Sequence, residues 1–271
     1  MARQYGLDHT SNGYVTFIDA DDTFNGSFAL KSLRNGLNAQ TADGSQCQMS
    51  VGLFEEIHEE GLAPNEGPMA ILHEQDLVWM FGKMYRRSFL DKYNIKFHPT
   101  SRANEDSGFN TLCRLCLTEK ESINFLPIHV YYWHEKLDSI TRINNCQYSY
   151  GSSEKDSFYG YVENMIYALQ NAQKKAPYNI ENINLQILLC MINIYIYYIE
   201  CCAKAPEHSE ANFNWCKRYY NELYSKVSQN FSDEIIGEYF SITMKDMYAG
   251  DRLNGFVPCM SFFEFLNKLK Q

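Results

Sequence analysis

The chain has 271 residues, of which 45% are hydrophobic, 15% aromatic and 21% charged; this is globular composition and excludes a disordered or collagen-like chain. The formal net charge is −9, and residues 1–80 carry the whole of that excess while residues 81–271 balance to zero. A nucleic-acid binder needs a basic face, so nucleic acid is not an expected partner. An acidic amino-terminal stretch suits a bound cation or a solvated acidic surface.

Taken in chain order, Tyr14, Val15, Thr16, Phe17 and Ile18 follow the turn-like Ser11-Asn12-Gly13 and predict a buried strand over 14–18. That strand ends in Asp19-Ala20-Asp21-Asp22. Phe28, Leu30, Leu33 and Leu37 then fall at helical spacing, with Asn25 or Ser27 as cap and Gly36 near the end. A strand is expected over 48–54, and a polar loop passes Gly61, Pro64, Gly67 and Pro68. After an apolar run at 77–81 come Lys83, Arg86, Arg87, Lys92 and Lys96, with a short helix around Ser88 to Tyr93. Asn104-Glu105-Asp106 opens the next helix, its acidic pair in the first turn where the dipole favours it. Phe109, Leu112, Cys113, Cys116 and Leu117 form that helix's apolar stripe. Two more short strands are expected over 123–126 and 128–133.

From about residue 154 the pattern stays helical, with helices expected over 155–174, 181–204, 209–229, 232–248 and 261–270. Pro177, Pro206 and Pro258 mark the breaks. Residues 185–202 are apolar on nearly every side but interrupted by Gln186, Asn193 and Glu200, which fits a buried bundle helix or a homo-oligomer interface better than a bilayer span. Met1 runs into polar sequence without a signal-type apolar segment. Nine cysteines show no framework spacing, and Cys201 and Cys202 are adjacent; reduced thiols in a cytoplasmic protein are expected. Cys113 and Cys116 form a lone CxxC, better read as two helix cysteines than as a zinc site.

Carboxylates at the carboxyl end of a buried strand lie where open α/β sheets place ligands. Strand alternation sends Asp19 and Asp21 the same way and turns Asp22 aside. Two convergent carboxylates suit Mn²⁺ or Mg²⁺, which take hard oxygens and often share substrate phosphates. A turn and helix-capping cluster is the other reading of the same four residues.

Ala2-Arg3-x-x-Gly6-Leu7, with Gly13-Tyr14-Val15-x-Phe17-Ile18-Asp19-Ala20-Asp21-Asp22 after it, resembles the central motif of glycosyltransferase family 2. These are inverting enzymes with a GT-A fold, in which an AR-x-x-G-L helix leads into a strand ending in D-x-D. Three later segments are similar to the same family in the same order. VWMFGKMYRRSFL, from Val78 to Leu90, resembles its W-x-K-x-Y-R-R-x-F-L stretch. Glu105-Asp106-x-x-Phe109 resembles the E-D motif that supplies the catalytic base. Tyr131-Tyr132-Trp133-His134 with Ser139-Ile140-Thr141 resembles the closing Y-Y-Y-R and S-I-T loop.

The resemblance implies an α/β fold: a partial GT-A, Rossmann-like nucleotide-diphospho-sugar transferase sheet over residues 1–150, followed by an α-helical carboxy-terminal domain over 151–271. It implies inverting, metal-dependent transfer from a nucleotide-sugar donor, UDP-linked by expectation, to a glycan, polyol-phosphate or lipid-linked acceptor, in the cytoplasm or peripheral to a membrane. Asp106 is the expected base, with Glu105 beside it as an alternate or orienting group. Asp21 and Asp19 are the expected ligands of Mn²⁺ or Mg²⁺. Arg3, Asp19, Asp21, His134 and Ser139 would face the donor, and Trp79, Lys83 and Arg86 the acceptor. The basic run Lys83, Arg86 and Arg87 also reads as a solvated helix face. Two departures stand out. His134 occupies a position where many relatives carry Arg, and the family's amino-terminal β-α-β stretch has no counterpart before Met1. A non-catalytic remnant or partner-binding fragment is therefore the alternative reading.

Overall fold

The computed structural model describes residues 2–58, 69–100, 103–135, 149–150, 156–249 and 257–271. Helix α1 (Ala2–Asp8) buries Leu7 and leads to β1 (Tyr14–Val15). The strand expected over 14–18 is shorter than its composition suggested. Thr16 continues the pairing only through its side chain, Oγ1 donating to the Lys83 carbonyl at 2.7 Å, and Ile18 is exposed. The chain leaves the sheet here, carries the acidic residues across, and returns as β2 (Thr23–Phe24).

Helix α2 (Ala29–Asn38) follows. Its buried face is Ala29, Leu33, Gly36 and Leu37, whereas Phe28 and Leu30, expected on the apolar stripe, are exposed. Phe28 is the N-cap, without a side-chain cap bond, so neither Asn25 nor Ser27 caps this helix. Then come β3 (Gln46–His58), β4 (Met69–His73), β5 (Lys83–Arg86), α3 (Arg87–Lys92), α4 (Glu105–Leu115) and β6 (Glu121–Glu135). The expected loop around Gly61 to Pro68 lies outside the described residues.

The strands form one sheet in the order β1-β5-β3-β6-β2. The long β3 and β6 run parallel and the other pairs antiparallel. Strands β4 and β5 both lie along β3, pairing with its carboxyl and amino halves respectively, so residues 74–82 are an excursion out of one edge. The two short strands expected over 123–126 and 128–133 are a single strand. Pro127 falls where Val51 pairs with Phe125 but Leu53 pairs with His129; the bulge accommodates a residue that has no N–H for the ladder.

Side-chain alternation splits the sheet between two apolar clusters. Met84 faces α2 together with Phe54, Phe81, Val130 and Tyr131. Tyr85, with Met49 and Val51, faces the α3, α4 and carboxy-terminal helices.

Those helices are α5 (Ser157–Lys175), α6 (Ile180–Lys204), α7 (Ser209–Tyr219), α8 (Ser225–Val227), α9 (Asp233–Ala249) and α10 (Phe262–Leu269), with a π turn (Tyr220–Tyr224) joining α7 to α8. Pro177 and Pro206 each open a short 3₁₀ turn before the next helix, where a missing N–H is harmless. Helix α6 is long and apolar enough to cross a membrane. It lies instead at the centre of the bundle, in contact with α5, α7, α9 and α10, with Ile183, Leu188, Ile192, Ile196 and Ile199 fully buried. The sheet and the bundle share one core cluster, in which Phe109 and Leu112 of α4 meet Val162 and Leu169 of α5.

The α4–α5 crossing is close because of Gly108. A Cβ there would lie 2.7 Å from the Asn164 carbonyl oxygen and 2.9 Å from its Cβ. Gly108→Ala therefore sets a helix-propensity gain of about 1 kcal/mol against overpacking of about 1–3 kcal/mol on a backbone neighbour. Net destabilisation is expected, measured as a lower denaturant midpoint with unchanged slope.

Candidate functional site

The acidic loop and the first turn of α4 meet across a single guanidinium. Arg3, on α1, donates Nη2 to Asp19 Oδ1 at 2.6 Å and Nη1 to Glu105 Oε1. The Arg3 side chain is 23% exposed, Asp19 38% and Glu105 31%, so the bridge lines an open site rather than the core. Three segments remote in sequence are thereby brought together.

Within the loop the three carboxylates differ in environment. Asp22 is buried, with Oδ2 accepting from the Tyr131 hydroxyl at 2.7 Å and Oδ1 from the His134 amide at 2.9 Å. The same Tyr131 oxygen accepts the Asp19 amide at 3.3 Å. Burial pushes the Asp22 carboxyl up, against the two hydrogen bonds, and the charges of Asp19 and Asp21 add to the rise. Asp22 and fully buried Tyr131 thus fix the loop on β6, while Asp21 is exposed. The expected turning-aside of Asp22 is observed. Its anchoring role is legible only once Tyr131 is placed beside it.

Asp106 follows Glu105 in the first turn of α4 and is half-buried. Its carboxyl is pushed up to about 6, chiefly by burial and then by the neighbouring Glu105 charge. The Ser107 amide, donating to Asp106 Oδ1 at 2.8 Å, and the Arg3 charge pull the other way. The N-cap, Asn104, is left-handed with φ 59°, a conformation asparagine tolerates better than most residues.

The basic run is used inside the fold. Lys83 is fully buried, with Nζ donating to Asp76 Oδ2 at 2.6 Å and to the Phe81 carbonyl at 3.3 Å. Asp76 also accepts the Val78 and Trp79 amides, each at 3.1 Å. Lys83 therefore closes the excursion 74–82 and is not presented to an acceptor. Arg86 donates Nη2 to the Leu37 carbonyl at 2.7 Å and Nε to that of Cys47 at 3.2 Å, satisfying the carboxyl end of α2. Arg87 is buried and binds the Leu7 carbonyl and the Thr10 hydroxyl. None of the three forms a solvated helix face, because each meets backbone or carboxylate oxygens first.

Trp79 is half-buried, edge-on to Phe54 and His73, with its ring centroid 6.0 Å from that of Trp133. His134 stands next to the acidic loop, its Nε2 3.4 Å from Thr23 Oγ1. Ser139 lies outside the described residues. Cys113 and Cys116 are buried free thiols on α4 and at its carboxyl end. Among the described residues no three His, Cys, Asp or Glu side chains converge as a metal cage. Missed in the sequence were Asp76 and Asn110, and the role of Tyr131, which the closing motif includes, as the anchor of Asp22. Asn110 is fully buried, bonded to the Tyr85 hydroxyl and to the Val78 and Trp79 carbonyls.

The architecture is thus a mixed α/β sheet with a large helical carboxy-terminal part and an acidic loop facing a helix amino terminus. No family model and no curated protein matches the chain. Solved structures of S. aureus TarS are similar to it. Residues 1–349 of TarS in complex with UDP-GlcNAc give a TM-score of 0.49 at 13% identity, covering 83% of this chain and 62% of that one. The complex with UDP gives 0.43 at 12%, covering 92% and 70%. The chain thus spans less than two thirds of the first of these.

Two outcomes follow from the charges. Because the Asp106 carboxyl is raised on folding, its ionisation opposes folding, and that opposition grows from pH 4 and is complete above pH 6. Asp106→Asn should therefore stabilise the chain by up to about 3 kcal/mol above pH 7 and leave it unchanged near pH 4, read from denaturant curves at both pH values. Asp76→Ala, which strands a buried ammonium, should cost about 3–5 kcal/mol. Adding Lys83→Met should recover most of that loss, whereas an acceptor-binding Lys83 predicts no recovery.

Proposed function

We propose that the chain is a glycosyltransferase, moving a sugar from a nucleotide-sugar donor, UDP-linked, to a hydroxyl of a glycan, polyol-phosphate or lipid-linked acceptor with inversion. The observation that carries this reading is the meeting of the strand-end acidic loop with Glu105 and Asp106 across Arg3. An inverting transfer needs a carboxylate that takes the acceptor proton as the new bond forms, and such a base works best with a pKa near the working pH. Asp106, raised to about 6, is mostly ionised at pH 7 yet basic enough to accept that proton. Glu105, tied to Arg3, holds the first turn of α4 and keeps negative charge beside Asp106. Arg3 presents a fixed cation between the two acidic segments, where a diphosphate would dock.

The donor chemistry suits a hard divalent cation. Asp19, Asp21 and Asp22 sit close enough that the first two raise the third, and Asp21 is exposed. One or two carboxylates with substrate phosphates are a sufficient site for Mg²⁺ or Mn²⁺. Asp21, with Asp19 beside it, would hold the ion, which when bound neutralises charge on the departing diphosphate. His134, adjacent to the loop, would contact the same phosphates, and Trp79 offers a half-buried ring to the acceptor sugar. We place the sheet region, residues 1–150, as the transferase part and the helices as its support.

UDP-GlcNAc is the donor to try first. UDP release with Mn²⁺ present is expected, and Asp106→Asn should lower turnover about 10²-fold or more while UDP binding persists. Full turnover in Asp106→Asn would overturn the assignment of the base. In calorimetry, Mn²⁺ should bind tighter with UDP present than alone, and Asp21→Ala should abolish that difference.

A further inference from the structure

The connection that enters α4 is held from the bundle. Asn104 Nδ2 donates to the Ser157 carbonyl at 2.8 Å, and Asn164 Nδ2 donates to the Ala103 carbonyl at 2.8 Å. Asn164, in the middle of α5, is 1% exposed and shares its amide with the Gly160 carbonyl one turn earlier, also at 2.8 Å. The backbones are close enough that a Cβ on Gly160 would lie 3.0 Å from the Ala103 oxygen. Helix α5 therefore grips both residues that precede Glu105. A left-handed N-cap with no side-chain cap bond of its own is a weak start for a helix, so the first turn of α4 depends on this grip for its direction.

We propose that Asn164 is a positioning residue for Asp106, an inference that rests on the transferase reading above: its amide fixes the Ala103 carbonyl, and through it sets where the Asp106 carboxylate meets the acceptor hydroxyl. The Asn164 amide reaches Asp106 through the backbone, its bonds going to the Ala103 and Gly160 carbonyls. Among the described residues, the charged and titratable groups that act on Asp106 include Glu105 on its own helix, Arg3 from α1, and Lys83 and Tyr85 from β5. The bundle contributes a neutral amide to the connection before α4, so it acts on Asp106 through geometry. A shift of about 1 Å in a reacting group lowers rate strongly while leaving remote donor contacts in place.

The test uses the full chain, UDP-GlcNAc with Mn²⁺, and Asn164→Leu, which keeps the branched shape of the side chain and removes the donor. The expected result is a kcat at least about tenfold lower with a donor KM within about twofold of the parent. The Asp106 carboxyl midpoint, followed by carbon NMR of labelled protein, should fall by about one unit as the turn opens to water. Asn104→Gly keeps the left-handed φ and loses the Ser157 bond, so it should move both readouts in the same direction by less. It also decides the matter if Asn164→Leu fails to fold. A lower melting temperature with kcat and midpoint both unchanged would overturn the proposal and leave Asn164 as packing alone. Should the parent chain show no transfer, the transferase reading fails on that result. The carboxyl midpoint in the two variants still decides whether Asn164 positions Asp106.

Discussion

Five carboxylates, Asp19, Asp21, Asp22, Glu105 and Asp106, crowd around one arginine, and the arrangement of the site follows from that imbalance. Arg3 meets two of them directly. Asp22 escapes repulsion by turning inward to the Tyr131 hydroxyl and the His134 amide. Asp106 has burial and Glu105 against it, and the Ser107 amide, its own amide and the more distant Arg3 in its favour. Asp21 faces solvent. Asp19, Asp21 and Asp22 are three of the twelve carboxylates of residues 1–80, and with Glu105 and Asp106 they make a locally acidic site of the kind that attracts cations.

The three cations of the basic run do not relieve that imbalance because they are committed elsewhere. Lys83 lies close enough to Asp106 to feel it, yet its ammonium is bonded to Asp76 and the Phe81 carbonyl. Arg86 and Arg87 satisfy the end of α2 and the carbonyl of Leu7. Buried ion pairs are weak contributors to net stability but strongly disfavour alternatives that separate them. The Lys83–Asp76 pair thus gives residues 74–82 one conformation, and Trp79 with it.

Much of this was legible in the sequence. Helices α5, α6 and α9 follow hydrophobic period and proline breaks to within a few residues, because long amphipathic or fully apolar segments leave little choice, whereas the helix expected over 209–229 is divided into α7, a π turn and α8. The E-D pair opening α4 and the D-x-D loop after β1 were readable from residue type and order. What was not legible is instructive. Phe28 and Leu30 satisfy helical spacing, but α2 lies so close to Ser50 and Leu126 at Gly36 that Ala29 and Gly36 join Leu33 and Leu37 on the buried face in their place. The basic run read as surface because sequence does not show that its carbonyl and carboxylate partners are supplied by Leu7, Leu37 and Asp76. Tyr131 stood in the closing motif, but its bond to Asp22 was not legible because the partner lies 109 residues away in sequence.

The same geometry explains why the helical part belongs to the site. A helix beginning with a left-handed N-cap and two adjacent carboxylates gains from their charge near its dipole, but only Glu105 has a cation in hydrogen-bonding contact. Asp106 must be kept half-buried at an energetic cost, and something outside the helix must oppose its release to solvent. Gly108 permits the opposing contact by letting α4 lie against Asn164, and Asn164 reaches past it to the entering backbone. Helix α5 is backed in turn by α6, most of whose residues are buried. The strain of a raised carboxylate is thus carried by the largest apolar cluster in the chain. A destabilised acid persists where the core is thickest, since there the surroundings over-determine the conformation that the acid alone would abandon.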